Sequence, residues 1–268
     1  QVIAGYSLGG ADLLRRAIGK KKAEEMAQQR DIFTAGALAR GMKERIATEL
    51  FDQIEKFAGY GFNKSHSAAY AWVAYQTAYL KVHYASAFMA ANLSATMDDS
   101  DKVRQFYVDA LANGLSFLPP DVNASEYRFV PVDDKTIRYG LGAIKGTGRA
   151  AVEAIVAERG REPYAGFVDF CRRIDKRAVN RRAIEALIKG GAFDALESNR
   201  ATLIASVGPV LDMAEQEARA AQQVNLFGEA EGAGEVQLVA VKPWSQLDLL
   251  RQEKTALGFF FSGHPYAS

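Results

Sequence analysis

Arg15, Arg16, Lys20, Lys21 and Lys22 place five basic side chains within eight positions of the run Gly9 to Lys22. On a helix, Arg15 and Arg16 differ by about a hundred degrees around the axis, so one or both project away from the side that carries Leu13, Leu14 and Ala17. A guanidinium pair followed by three ammonium groups suits a polyanion such as a triphosphate or a nucleic-acid backbone. A solvated basic face would carry the same residues. A second cluster is Phe57 to Tyr70, a glycine-loosened aromatic loop running into a helix. With Asn63 or Ser65 as N-cap, Lys64, Ser65 and His66 stand at a helix N-terminus, where free N–H groups favour anions and small polar side chains reach a sugar or phosphate. The plain alternative makes Tyr60, Phe62 and Tyr70 core and His66 a cap-region residue.

Leu141 to Ile155 contains the third constellation. A short helix ends in Gly146-Thr147-Gly148, and a second helix starts at once, with Leu141, Ile144, Ala151 and Ile155 available to pack the two together. This is the helix-hairpin-helix pattern. Its glycines let the backbone approach a phosphate, and Lys145 and Arg149 add charge on either side. A dinucleotide fingerprint is excluded, because there is no long preceding strand and no third glycine at the required position. A purely structural turn remains open. A weaker hairpin follows, with Phe167, Phe170 and Ile174 in one helix and Ala183, Leu187 and Ile188 in the next. Arg172, Arg173, Lys176, Arg177, Arg181 and Arg182 make this the most basic part of the chain, which favours contact with a duplex backbone. Gln223-Val224-Asn225-Leu226-Phe227 sits in a polar tract, where two large apolar residues are better placed to anchor on a partner than to join a core.

The elements that must position these groups are mostly helical. Apolar residues at three and four spacing mark helices near 11–18, 23–39, 43–57, 66–84, 86–96 and 101–113, the last stopped by Gly114. Short β-branched or aromatic runs at 116–120, 127–131 and 136–139 read as strands. Helices resume at 141–145, 148–159, 166–174, 180–189 and 199–221, and again at 245–256. Gln222 to Val241 is read as a mobile linker, and Leu257 to Ser262 as the first strand of a further domain. The expected domains are 1–114, 115–222, a linker over 223–244, and 245–268. With 33 Lys and Arg against 32 Asp and Glu, the formal charge is +1, so an anion site has to come from local clustering. The single cysteine, Cys171, cannot form an internal disulfide, and His66, His83 and His264 lack metal-ligand spacing. No apolar stretch reaches the length of a membrane span, so a reducing cytoplasm is expected. Both ends read as cut from a longer chain.

Taken in this order, the segments resemble the C family of bacterial replicative DNA polymerases. Gly9 to Lys22 and Phe57 to Leu80 are similar to two stretches of its fingers. Pro119 to Asn123 and Tyr139 to Arg149 are similar to its following domain with tandem hairpins, and Gly258 to Pro265 to the lead into its OB domain. Essentially the whole chain is covered. The resemblance implies a mainly α fold: a helical fingers region followed by a small α+β domain with tandem helix-hairpin-helix motifs. It implies that Arg15, Arg16, Asn63, Lys64, Ser65 and His66 bind the incoming dNTP. Lys145, Gly146, Thr147, Gly148, Arg149, Arg181 and Arg182 would bind primer-template DNA, and Gln223, Leu226 and Phe227 the beta sliding clamp. Other replicase holoenzyme subunits would be further partners, with no membrane. Nucleotidyl transfer in this family uses Mg2+ held by palm aspartates that precede Gln1, so no catalytic residue, metal ligand or cofactor is assigned here and no synthesis is expected from this chain alone. Two rivals stay open. One is a non-catalytic helix-hairpin-helix module of a DNA-repair protein, and the other a helical scaffold without nucleic-acid affinity.

Overall fold

The computed structural model describes residues 1–20, 23–58, 64–222 and 237–266. Contacts gather into two compact units, Gln1–Thr77 and Ala78–Ser268. In the first, α1 (Leu8–Lys20), α2 (Ala23–Ala39) and α3 (Glu44–Ala58) precede α4 (Lys64–His83), within which the unit ends. Apolar residues at helical spacing meet in a small core of Ala17, Met26, Phe33 and Phe51, with the Phe33 and Phe51 rings 5.5 Å apart. Gly36 lets α2 approach the N-terminal segment: a Cβ there would lie 2.0 Å from the Ala4 carbonyl oxygen. No residue of α4 is buried, so Tyr70 is not core, although a helix at that position is what the sequence predicts.

The second unit contains α5 (Ala85–Ala95), α6 (Ser100–Ala112), β1 (Ser116–Leu118), β2 (Val130–Pro131) and β3 (Thr136–Arg138). A 3-10 turn (Leu141–Ala143) leads to α7 (Arg149–Arg159), α8 (Phe167–Arg173), α9 (Arg181–Lys189), α10 (Arg200–Gln222) and α11 (Gln246–Leu257). The sheet order is β1-β3-β2, with β1 parallel and β2 antiparallel to β3, and Phe117 opposite Ile137. The chain is thus mainly α with one small α+β part, as the sequence predicts. Asp99 caps α6 by accepting the Asp101 and Lys102 N–H groups, each at 3.2 Å. Gly114, at φ +77°, ends the helix while the Leu115 N–H reaches back to the Ala110 carbonyl at 3.0 Å.

Several expectations need correction. The break between compact units falls at Thr77 instead of at 114, because Met89, Ala90 and Leu93 of α5 and Val103 and Ala110 of α6 belong to the core that also holds Ile137, Ile155 and Phe193. The first hairpin helix is only one turn long. A Cβ on Gly140 would lie 2.5 Å from the Arg128 carbonyl carbon, and one on Gly142 would lie 2.5 Å from the Tyr127 ring, so this segment is pressed against a neighbouring chain segment. Gly258 to Ser262 is not a strand. Gly258 is left-handed at φ +91°, and the Phe261 and Ser262 N–H groups donate to Glu253 Oε1 at 2.6 and 2.8 Å instead of to a ladder. The stretch taken as a mobile linker ends earlier than Val241. The Val239 N–H donates to Ser206 Oγ at 2.8 Å and Asn199 Nδ2 to the Val241 carbonyl at 2.8 Å, which lays this segment along α10.

Candidate nucleic-acid interface

On α1 the two arginines share one carboxylate. Arg15 donates through Nε and Nη2 to Asp12 Oδ1 at 3.0 and 2.7 Å, and Arg16 Nε lies 2.9 Å from Asp12 Oδ2. The hydrogen bond from Arg15 is the main reason the Asp12 carboxyl titrates below the usual carboxylate range. Both guanidiniums remain mostly exposed, so Asp12 orients them without covering them. Lys20 Nζ lies 3.8 Å from Glu25, while Lys21 and Lys22 fall outside the described residues. Lys64, Ser65 and His66 form the first turn of α4, and the His66 ring packs 4.4 Å from Tyr70. Because the helix already begins at Lys64, Ser65 lies inside it and is not the N-cap. Asn63 lies outside the described residues, as do Gln223, Leu226 and Phe227.

The hairpin turn is the better-defined feature. Gly146 adopts φ +90°, and Gly148 stands as N-cap of α7 in extended conformation. That leaves the Arg149 and Ala150 N–H groups at the helix start without an acceptor among the described residues. Lys145, Gly146, Gly148 and Arg149 are exposed, but Thr147 is buried. Its hydroxyl lies 2.6 Å from both the Leu141 and the Ile144 carbonyl oxygens, so it closes the turn from inside. Arg149 Nε donates to Glu153 Oε1 at 2.8 Å, and its guanidinium lies 5.5 Å from the Tyr127 ring centroid. A Cβ on Gly146 would stand 4.0 Å from the Ala186 methyl of α9. Arg182 is one turn before Ala186 on the same strip of that helix. Arg181 leans the other way: it donates to Glu185 at 2.8 Å, and its Nη1 is 3.6 Å from the place of a Gly208 Cβ on α10.

Half of the basic run on α8 and α9 is structural. Arg172 makes a two-pronged pair with Glu217, 2.9 Å on each arm. Arg173 bonds Glu158 and Asp169 at 3.2 and 3.0 Å, and Lys176 donates to the Leu211 carbonyl at 3.1 Å. Arg177, Arg181 and Arg182 remain exposed.

Comparison with known proteins matches two stretches of the chain. The model of the bacterial DNA polymerase III alpha subunit finger domain matches residues 1–41, and that of a helix-hairpin-helix motif matches residues 114–203. DNA polymerase III subunit alpha of Neisseria meningitidis serogroup B is 54% identical over 268 residues, which is 99% of this chain. Those of Escherichia coli K12 and Vibrio cholerae are 47% and 48% identical, again across 99% of it. The chain belongs to the DNA polymerase III alpha-subunit family. It spans about a quarter of the length of these relatives, 23% in each case. A repair module would account for the hairpins, but not for the match over 1–41 or for identity sustained along the whole chain.

Polymerases of this family carry Mg2+, and the described residues of this chain offer no group that fits it. Among the described residues no group of three or more His, Cys, Asp or Glu side chains could hold a metal ion. Asp12 is taken by Arg15 and Arg16, and Asp52 pairs with Arg30 at 2.6 Å. No chemical step is therefore assigned to a metal in this chain.

Two features escaped the sequence reading. Asp12 could have been found, since it precedes Arg15 and Arg16 by three and four positions, the spacing at which helical side chains meet. The buried Arg200 gave no such signal. It pairs with Asp194 at 2.6 Å, donates to the Lys189 carbonyl at 2.9 Å and lies 3.9 Å from Glu253, itself 1% exposed.

Proposed function

We propose that this chain is the part of a bacterial replicative DNA polymerase subunit that grips the primer-template duplex and contributes side chains to the incoming dNTP. One observation carries the duplex reading: the left-handed Gly146 turn, flanked by Lys145 and the exposed start of α7, comes close to Ala186 of α9, one turn beyond Arg182. Small residues let the DNA backbone come close, N–H groups at the helix start donate to a phosphate oxygen, and the cations neutralise charge without reading bases. Thr147 acts from inside by holding the turn's shape, so its role is positional.

The nucleotide reading is supported by the Asp12-held guanidinium pair in the stretch that matches the fingers model. Arg15 and Arg16 would neutralise the triphosphate, and Asn63, Lys64, Ser65 and His66 would meet the base pair and its sugar. Synthesis by this chain alone is not expected, since no carboxylates gather among its described residues. Gln223, Leu226 and Phe227 would anchor the beta sliding clamp, with DNA and other replicase holoenzyme subunits completing the assembly. A bacterial cytoplasmic location fits the absence, among the described residues, of any helix long and apolar enough to cross a membrane.

The test is a salt titration of duplex binding. Lys145→Gln and Arg182→Gln should each lower the slope of log affinity against log salt by about 0.9, equally on unrelated sequences. Unchanged slopes, or an effect confined to one sequence, would refute the hairpin grip.

A further inference from the structure

Beside the hairpin turn, α6, the end of α11 and the segment after it form a cavity of about 350 Å3 lined by Arg104, Tyr107, Lys254, Phe260 and His264 among others. Arg104 and Lys254–His264 lie outside both stretches matched by family models. None of the lining residues is acidic. That bias has a structural origin. Glu253, next to Lys254, turns inward and accepts the Phe261 and Ser262 N–H groups, which fixes the segment in an alternating pattern. Phe259 is consequently buried and Phe261 packs on the core, while Phe260 faces the cavity.

The two cations of the site are not among those held by ion pairs. Among the described residues, Arg15, Arg16, Arg149, Arg172, Arg181 and Arg200 all have carboxylate partners, but neither Arg104 nor Lys254 has one. Lys254 Nζ lies 5.0 Å from the Phe260 ring centroid, and His264 meets that ring edge-on at 5.7 Å. Tyr107 is held in place, its ring 5.1 Å from Phe259 and its hydroxyl donating to the Phe261 carbonyl at 3.2 Å. Two cations without carboxylate partners beside a half-buried ring match a ligand that joins an anion to a flat apolar group.

We propose that this cavity binds a nucleotide unit, with its phosphate between Arg104 and Lys254 and its base against Phe260. The volume falls in the range of small-ligand sites. Cations for the phosphate and a ring for the base are the combination by which unpaired nucleic acid is held without sequence preference. The same chemistry is offered by a free nucleotide and by an unpaired residue of a DNA strand. This site adjoins the duplex grip, since the Lys145 N–H donates to the Ala256 carbonyl at 2.8 Å and Lys145 Nζ lies 3.1 Å from the place of a Gly258 Cβ, but it uses different side chains.

The 268-residue chain is the test object. Its binding of a fluorescent twelve-residue oligothymidylate, about the length one such site can span, is followed by anisotropy across a salt series. Binding of dATP is followed by calorimetry, and binding of a labelled duplex serves as control. Phe260→Ala should weaken oligothymidylate binding about tenfold. Arg104→Gln and Lys254→Gln should each reduce its salt slope by about 0.7. Duplex affinity should be unchanged in all three. Loss confined to the oligonucleotide identifies a DNA strand as the source, and a parallel loss with dATP identifies a free nucleotide. Arg104 and Lys254 are exposed, so their variants keep the fold even if Phe260→Ala does not. The proposal is overturned if the Arg104→Gln/Lys254→Gln double variant binds both probes as the parent does, if the parent binds neither, or if duplex affinity falls equally.

Discussion

Replacing Thr147 by Val separates a residue that builds the hairpin from one that touches DNA. Its hydroxyl has one proton and lies 2.6 Å from two carbonyl oxygens, those of Leu141 and Ile144. Each carbonyl also accepts a backbone N–H at 3.2 Å, from Ile144 and from Thr147 respectively, so neither is stranded when the hydroxyl goes. That limits the hydrogen-bond loss to about 1 kcal/mol. A methyl in place of the hydroxyl would crowd both oxygens, so the turn must open, which adds about 1 kcal/mol or more. The expected total is about 1–3 kcal/mol, or a fall in Tm of roughly 2–4 °C for each kcal/mol in a unit of this size. Thr147→Ser, which keeps the hydroxyl, should recover most of it. Melting followed by circular dichroism measures the stability, and anisotropy against salt measures the contacts with duplex. The salt slope should stay that of the parent. An unchanged Tm together with a slope lowered by about 0.9 would put the hydroxyl on a phosphate and refute the structural role.

Asp12→Asn should raise the KM for dNTP in the complete polymerase subunit without altering duplex affinity, because it frees the two guanidiniums that the carboxylate holds; steady-state kinetics reads this, and an unchanged KM would count against the pair. Gly191→Ala should cost about 2–4 kcal/mol in urea unfolding, since φ is +86° and the new Cβ would lie 2.3 Å from the buried Arg200 Nη2. Burial pushes the Cys171 thiol up to about 12 from 9.0. Between those values the unfolded chain has lost a proton that the folded chain keeps, so stability is constant below about pH 9 and falls as pH rises toward 12. Denaturant titrations of the parent and of Cys171→Ala should show the fall reduced in the variant, and parallel curves would contradict it. Replacing both Leu226 and Phe227 with Ala should abolish binding to the sliding clamp in surface plasmon resonance; parent-like binding would return the peptide to the role of linker.

The helices were legible in the sequence because their signals act within a turn or two of chain. Apolar spacing predicts α2 at its observed ends, and Gly114 predicts the left-handed stop of α6. Gly146 and Gly148 announce the hairpin for the same reason: a backbone that must turn sharply needs residues without a Cβ. Whether a given cation faces solvent is another matter. Arg172 and Arg182 look alike in the chain, yet one is paired with Glu217, 45 positions away, and the other stands exposed on α9. The burial of Thr147, the inward turn of Glu253 and the place of Phe260 at a cavity were likewise decided only by folding. Each depends on which distant segment supplies the neighbouring atoms and excludes the water, and local spacing carries no information about that.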